Sequence, residues 1–566
     1  MTKNKNYIKD LGGFIAVIAI LILINIIGKS LHVRLDLTKE KRYTLADDSK
    51  TILSNLSDDV FIRVYLDGEL NIQLTNFQQS VTETLEELRI ASNNKVHFEL
   101  SDPFADADLQ TKSKIMEELY TKGLRPINIH HRKKDGSVTE KIIIPGAIVS
   151  YNGVEIPLNL LLNDPSKSSE DNLNNSIEAL EYSFVSSIKN ITTSEVNKIA
   201  FLEGHGEWPE IFVSDISQEL SKSFQVDRGI ISGTPGILDP YECIIIAGPV
   251  STFSEADKYV IDQYIMNGGK VLWLIDGVNV DFDSLASGFT AALPNSLNLE
   301  DMLFRYGARI NAELARDVQC GALKVNVALA GNEPNFQLAP WLYYPMLSPN
   351  KEHLISNNLN MVLARFTSHI DTIEGRHSIV KTPLLQTSAH SNVVKTPSLI
   401  MLEEINDQPN EADFNRSDLI VGLLLEGEFE SVFKNRLLTS YFETPPTNSL
   451  TKSKATKMVI IADADIIKND VLETPQGPSI LPLGYDRSTN QTYGNKDFII
   501  NIVNYLTDDA NLLSLRGREF KLRLLDKKKV SEQRLKWQLI NILLPIILVI
   551  VSGIAYNMYR KHIYTR

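Results

Sequence analysis

Two cysteines in 566 residues exclude a disulfide framework. Cys243 and Cys320 form no C-x-x-C pair, so neither a zinc ribbon nor a redox dithiol is available. Cys243 lies in the apolar run "YECIIIAG" and reads as a buried, inert thiol. No G-x-S-x-G or G-x-C-x-G turn follows a strand, which removes the usual nucleophile elbow. No G-x-x-x-x-G-K-[ST] occurs, so the chain does not bind ATP through a P-loop, and "MNGGKV" runs helix to strand, the wrong order for one. Positive charge is also short: 57 Lys and Arg stand against 70 Asp and Glu, a net charge of −13. So acidic a body is a poor partner for nucleic acid. Internal repeats and low-complexity tracts are missing, and 43% hydrophobic with 22% charged residues is an ordinary globular composition.

What the chain does have is two long uncharged runs, one at each end. The first, about 11–28, contains "FIAVIAILILINII"; at ~1.5 Å per residue it spans roughly 27 Å, close to a bilayer's hydrocarbon core. The second, about 538–559, reads "QLINILLPIILVIVSGIAYN" at its heart, with Trp537 and Tyr559 at its borders, where interfacial aromatics belong. Both read as transmembrane helices in a lipid bilayer. A cleaved signal peptide is the alternative for the first, and a buried core helix for the second. Lys3, Lys5 and Lys9 precede the first span, and Arg560, Lys561 and Arg566 follow the heart of the second. The positive-inside rule therefore puts both tails in the cytoplasm and residues from about 30 to 536 outside.

Between the spans the pattern divides. Residues 1–32 are tail and first span. Residues 33–195 carry strands at "VFIRVYL", "KVHFEL" and "PINIHHR", helices near 47–56, 72–92 and 109–121, a hairpin turning at Asn152-Gly153, and a helix near 173–190. That β-α-β-α-β-β-α order resembles a thioredoxin-like fold without the dithiol, with Pro126 just before the third strand, where that fold often carries a cis-proline. "HHRKKDG" (130–136) reads as a solvated basic turn, with metal binding as its alternative. Residues 196–510 alternate continuous apolar strands ("KIAFLE", "YECIIIAG", "KVLWLID", "KMVIIADADII") with amphipathic helices, the signature of a doubly wound parallel sheet. A large insertion, about 280–450, gives no readable order. Residues 511–536 form a charged stem, and 537–566 hold the second span and a basic tail.

Parallel α/β sheets bind ligands beyond the carboxyl ends of their strands. Four such ends carry marked residues: Gly204-His205-Gly206-Glu207, Gly248-Pro249, Asp276, and Asp463 with Asp465. Histidine beside carboxylates is acid–base equipment, and three aspartates with a histidine are metal-ligand types. Glycines that let a strand turn and aspartates that cap the next helix explain the same residues structurally. Structural turns, a ligand or partner cleft, and catalysis all remain open on the residues alone.

Several blocks carry a family resemblance. "RLDLTKEKRYTLADDSKTIL" after the first span, "FLEGHGE", "IIIAGPVSTFSEADKYVIDQYIMNGGKVLWLID", "PLLQTSAHS" and "MVIIADADII" resemble bacterial ABC-transporter auxiliary proteins, in that order along most of the chain. "LLLEGEFESVFKNR" (423–436) and the C-terminal span resemble the version associated with gliding motility. The resemblance implies a non-catalytic extracytoplasmic auxiliary subunit in the inner membrane, working with a separate ABC permease subunit and a separate ABC ATP-binding subunit, with no cofactor and no metal. It also implies a class I glutamine amidotransferase/flavodoxin-like sheet lacking the nucleophilic cysteine, on which the four strand ends form a ligand or partner cleft. The competing reading is a membrane-anchored, metal-dependent hydrolase or amidotransferase-like enzyme acting on a cell-envelope substrate through His205, Glu207 and Asp276.

Overall fold

In the computed structural model the described residues are 20, 23, 44–507 and 527–564, less 69, 106–107, 133–137, 162–167, 193–196, 327–334, 358, 375–378, 407–408, 438, 440–441, 443–447 and 476. Apart from Ile20 and Leu23, the first expected span lies outside them, as does most of the stem and the turn of the basic stretch at 130–136. Two compact units are present, Met1–Arg518 and Glu519–Arg566.

The first unit is mixed α/β. Helix α1 (Asp47–Ser54) leads into β1 (Val60–Val64), α2 (Ile72–Ala91), β2 (Val96–Leu100) and α3 (Leu109–Thr121). A ribbon of β3 (Ile127–Arg132) and β4 (Val138–Ile143) follows, then β5 (Gly146–Tyr151), β6 (Val154–Asn159) and α4 (Ser169–Thr192). The sheet order is β2-β1-β5-β6, with β1 parallel to β2 and antiparallel to β5. Phe77, Val81, Leu85 and Leu88 of α2 are fully buried because their spacing puts them on one helical face, against Leu53 of α1 and Phe184 of α4. Asn152 and Gly153 both take positive φ, 47° and 82°, which is the reason for that dipeptide at the β5–β6 turn. One expectation is corrected: "PINIHHR" is not the third strand of this sheet but pairs only with β4 in a separate ribbon. Pro126 stands before that ribbon, and the cis peptide among the described residues is Thr396–Pro397.

A larger sheet begins at β7 (Lys198–Glu203), followed by α5 (Ser214–Leu220), β8 (Gln225–Ile230), β9 (Cys243–Ala247), α6 (Glu255–Met266) and β10 (Lys270–Leu274). Its ten strands run Cys320–Asn326, Phe336–Pro349, Ile379–Gln386, Ile420–Gly427, Thr456–Ile461, β10, β9, β7, β8, with Val362–Leu363 paired to one side. The last five named in that order, from Thr456–Ile461 to β8, are mutually parallel. Side chains alternate between two buried layers: Cys243, Ile245 and Leu272 face α5 and α8 (Asn495–Thr507), whereas Ile244, Ile246 and Trp273 face α6 and α7 (Glu300–Tyr306). Burial on both faces is why these strands are continuously apolar.

The expected parallel sheet is therefore only half the sheet. The insertion supplies the other half, because Ile420–Gly427 pairs antiparallel to Thr456–Ile461 and Ile379–Gln386 pairs antiparallel to Ile420–Gly427. "LLLEGEFESVFKNR" ends one of these strands and then clamps α6. Asp262 of α6 accepts from Ser431 Oγ (2.7 Å), Val432 N (3.0 Å) and Tyr306 Oη (2.8 Å), while Arg436 pairs with Glu255 and Asp301. Lys258, fully buried, bridges Glu255 and Asp301 at 3.0 and 2.8 Å.

The second unit holds α9 (Lys527–Tyr564). Its segment Lys536–His562 is the one helix among the described residues long and apolar enough to cross a membrane. That segment contains the second expected span and Pro545, which a membrane helix tolerates.

Candidate functional site

In the parallel half, β7 lies between β8 and β9, so the chain leaves β7 first to one side and then to the other. This reversal is where the loops after two neighbouring strands separate and a crevice opens in such sheets. Residues 204–208 leave β7 at that point and Gly248-Pro249 leaves β9 beside it.

The two loops are tied by backbone. His205 O accepts from Val250 N (2.9 Å) and Ser251 N (2.8 Å), and Trp208 N donates to Ala247 O (2.9 Å). His205 is only 6% exposed. Its Nδ1 lies 3.2 Å from Glu207 Oε1, its Nε2 lies 3.4 Å from Asp257 Oδ2, and it stacks on Phe253 with centroids 3.7 Å apart. Glu207 also turns its second oxygen back to His205 N at 2.7 Å. Asp257 is the capping-box carboxylate of α6: it accepts from Ser254 Oγ at 2.7 Å and from Gly233 N at 2.7 Å. Burial disfavours the imidazolium, yet the bonds and charges of Glu207 and Asp257 outweigh it and raise the His205 pKa above its ordinary value. With both nitrogens engaged and one ring face covered, His205 fastens three segments together.

The glycines are required by the backbone. Gly204, Gly206 and Gly248 have φ of 116°, 78° and 69°. A Cβ on Gly206 would sit 2.5 Å from Val250 Cγ2, and one on Gly248 would sit 2.6 Å from Trp208 Nε1. Trp208 spans the neighbouring strand ends, donating from Nε1 to Ala464 O at 3.1 Å, with Lys468 Nζ 3.7 Å above its ring.

Asp276 accepts from Ala464 N (2.7 Å), and Asp463 accepts from Arg365 N (2.8 Å) and Asp465 N (2.8 Å). Burial and the nearby Asp465 push the Asp276 carboxyl up to about 7; burial, Asp465 and Asp276 hold that of Asp463 well above the carboxylate range. Arg365 belongs to the insertion, whose next residues bond the same strand end: Ser368 N and Thr367 Oγ1 both reach Ala462 O, at 2.9 and 3.1 Å. The insertion thus lies against the carboxyl end of Thr456–Ile461. Among the described residues, no three His, Cys, Asp or Glu side chains are grouped to share an ion.

All nine marked residues therefore sit along one edge of the sheet, in two linked groups: His205 with Glu207 on one side, and Asp276, Asp463 and Asp465 on the other, with Trp208 between them. Sequence reading missed Trp208, Phe253 and Arg365. The second role of Asp257 was also hidden, because its capping-box spacing already accounts for it.

Two titrations follow from this geometry. A histidine whose folded pKa is raised contributes stability that is present below its ordinary value of 6.5 and is lost as pH rises through the higher folded value. A buried carboxyl raised from 3.8 to about 7 also favours the folded state most at the acid end and loses that contribution as pH climbs toward 7. Thermal unfolding measured from about pH 5 to about pH 9 is expected to show a falling midpoint. Asp276→Asn is expected to flatten the acid half of that slope, and His205→Ala the half above. Parallel slopes in wild type and both variants would refute the assignment.

A family model described as an ABC-type uncharacterized transport system matches residues 196–502, and one for a domain of unknown function matches residues 39–150. No curated protein matches. Among solved structures, an mmIFT52 N-terminal domain is 12% identical with a TM-score of 0.32, covering 55% of this chain and 99% of its own. A putative thua-like protein from Parabacteroides merdae ATCC 43184 is 10% identical with a TM-score of 0.26, covering 56% and 90%. The exo-beta-1,4-mannosidase Op5Man5 from Opitutaceae bacterium strain TAV5 is 8% identical with a TM-score of 0.19, covering 69% and 45%. Likeness at this level bears on neither fold nor activity.

Proposed function

The chain belongs to the ABC-type uncharacterized transport system family, and from that premise we propose that it is the non-catalytic auxiliary subunit of an ABC transporter of the gliding-motility-associated type. It works beside a separate permease and a separate ATPase, anchored by a helix at each end, with its large α/β unit on the extracytoplasmic side. The observation that carries this reading is the family match over residues 196–502. The apolar helix Lys536–His562 supports the membrane association. The commitment of His205, Glu207, Asp276 and Asp463 to loop-fastening bonds favours a non-catalytic role. The sheet is taken as amidotransferase-like and the first four-stranded domain as thioredoxin-like. In this reading the strand-end edge is a partner or ligand surface set by Gly204, His205, Gly206, Glu207, Gly248 and Pro249 together with Asp276, Asp463 and Asp465.

Purification from native membranes is the test. The expected result is recovery of a multi-span permease and a nucleotide-binding subunit with this chain, and no ATP hydrolysis by the chain alone. Recovery of neither subunit, or turnover of ATP by the isolated chain, would overturn the proposal.

A further inference from the structure

Away from the strand ends, the insertion encloses a cavity of about 350 Å³, at the lower end of the ~300–1,000 Å³ typical of small-molecule sites. Its wall comes from three places. Arg316 lies on the strand Glu313–Asp317, Trp341 and Tyr343 on the strand Phe336–Pro349, and Glu404, Asn410 and Asp413 on and around two short 3₁₀ turns.

The wall is preorganised. Arg316 Nε donates to Asn392 Oδ1 (3.0 Å), its Nη1 lies 3.4 Å from Glu404 Oε2, and its guanidinium sits over the rings of Tyr343 (5.6 Å) and Phe414 (5.8 Å). Glu404 is held further by Tyr343 Oη (3.0 Å) and Met401 N (3.0 Å). Three groups remain uncommitted among the described residues. Asp413 is exposed, with no hydrogen bond to its carboxylate. Asn410 uses only its oxygen, accepting from Ala412 N at 3.3 Å. Trp341 is 1% exposed and its indole N–H has no partner.

These groups decide the ligand chemistry by elimination. An anion would meet two carboxylates and a guanidinium that is already paired. A compact cation would want the aromatic faces, but Arg316 occupies the space over Tyr343 and Phe414. A neutral polyol fits what is left: its hydroxyls donate to Asp413 and accept from Asn410, since a hydroxyl does both, and its C–H face lies against Leu342 and Pro409 of the same wall. We propose that this cavity is a binding site for a neutral sugar unit, a role separate from the strand-end edge and independent of the transporter assignment.

The test is titration calorimetry on the full-length protein in detergent with four sets of probes: neutral hexoses, N-acetylhexosamines, spermidine and inorganic phosphate. At least one neutral sugar is expected to bind. Asp413→Ala and Asn410→Ala, both on the exposed rim, are expected to weaken it, the former by about tenfold or more, while the unfolding midpoint without sugar stays at the wild-type value. Absence of sugar binding would overturn the proposal, as would binding of spermidine or phosphate in place of sugar, or sugar binding equally tight in both variants.

Discussion

Gly248→Val is expected to lower the thermal unfolding midpoint far more than His205→Ala. Gly248 has a φ of 69°, a conformation that costs a β-branched residue about 1–3 kcal/mol. Its Cβ would also come within 2.6 Å of Trp208 Nε1 and 2.9 Å of Cδ1, so the indole must move. Moving it breaks the bond to Ala464 O and lifts the ring from Lys468. Overpacking of this kind adds roughly another 1–3 kcal/mol. His205→Ala instead removes one ring and leaves the backbone bonds from Val250 and Ser251 in place, at a cost of about 1–2 kcal/mol. A catalytic histidine would give the opposite ranking in function: activity lost with His205→Ala and the fold intact. Measuring the unfolding midpoint and permease recovery for both variants decides between the two. Equal midpoints would show that the glycine is not needed for the turn.

Asp262→Ala is expected to be the second severe change, and it acts through the clamp on α6 rather than through the marked residues. Asp262 is fully buried, and its carboxylate receives Tyr306 Oη, Ser431 Oγ and Val432 N, with Gln263 Nε2 at 3.0 Å. Alanine leaves at least three of those donors without an acceptor in a closed interior, a loss of about 3–5 kcal/mol. Burial raises the Asp262 pKa against the pull of the same donors, so the carboxylate is held by those bonds rather than by an ion pair. The segment 428–436 is expected to detach from α6, and limited proteolysis should cut there in Asp262→Ala before the rest of the chain opens. Asp262→Asn keeps an acceptor and is expected to fall between. Wild-type resistance to proteolysis in Asp262→Ala would refute the clamp.

A smaller consequence concerns the thiols. Cys243 is fully buried, and burial pushes its pKa up to about 12. It is expected to resist alkylation in the native protein and to react only after unfolding; rapid native labelling at Cys243 would contradict this.

Local pattern determined a good deal by itself. The apolar runs at β7, β9, β10 and Thr456–Ile461 could only be strands buried on both faces, and α2 and α6 were visible from spacing and, for α6, from Ser254 and its C-terminal glycine, Gly268 at φ 102°. The Asn-Gly turn at 152–153 and the apolar heart of α9 were legible for the same reason: each depends on residues adjacent in the chain. Sequence also placed the marked residues at strand ends. What it could not decide was which strands pair across long separations. Whether Ile127–Arg132 joins the first sheet or forms a ribbon with Val138–Ile143, and whether Ile420–Gly427 continues the large sheet, depends on competition between distant hydrogen-bonding edges that no local period encodes. The same holds for the site. His205 meets Asp257 across 52 positions, Trp208 meets Ala464 across 256, and Arg365 meets Asp463 across 98, so only the folded sheet brings them together. Tertiary structure alone shows that His205, Asp276 and Asp463 bond the loops that leave the strand ends.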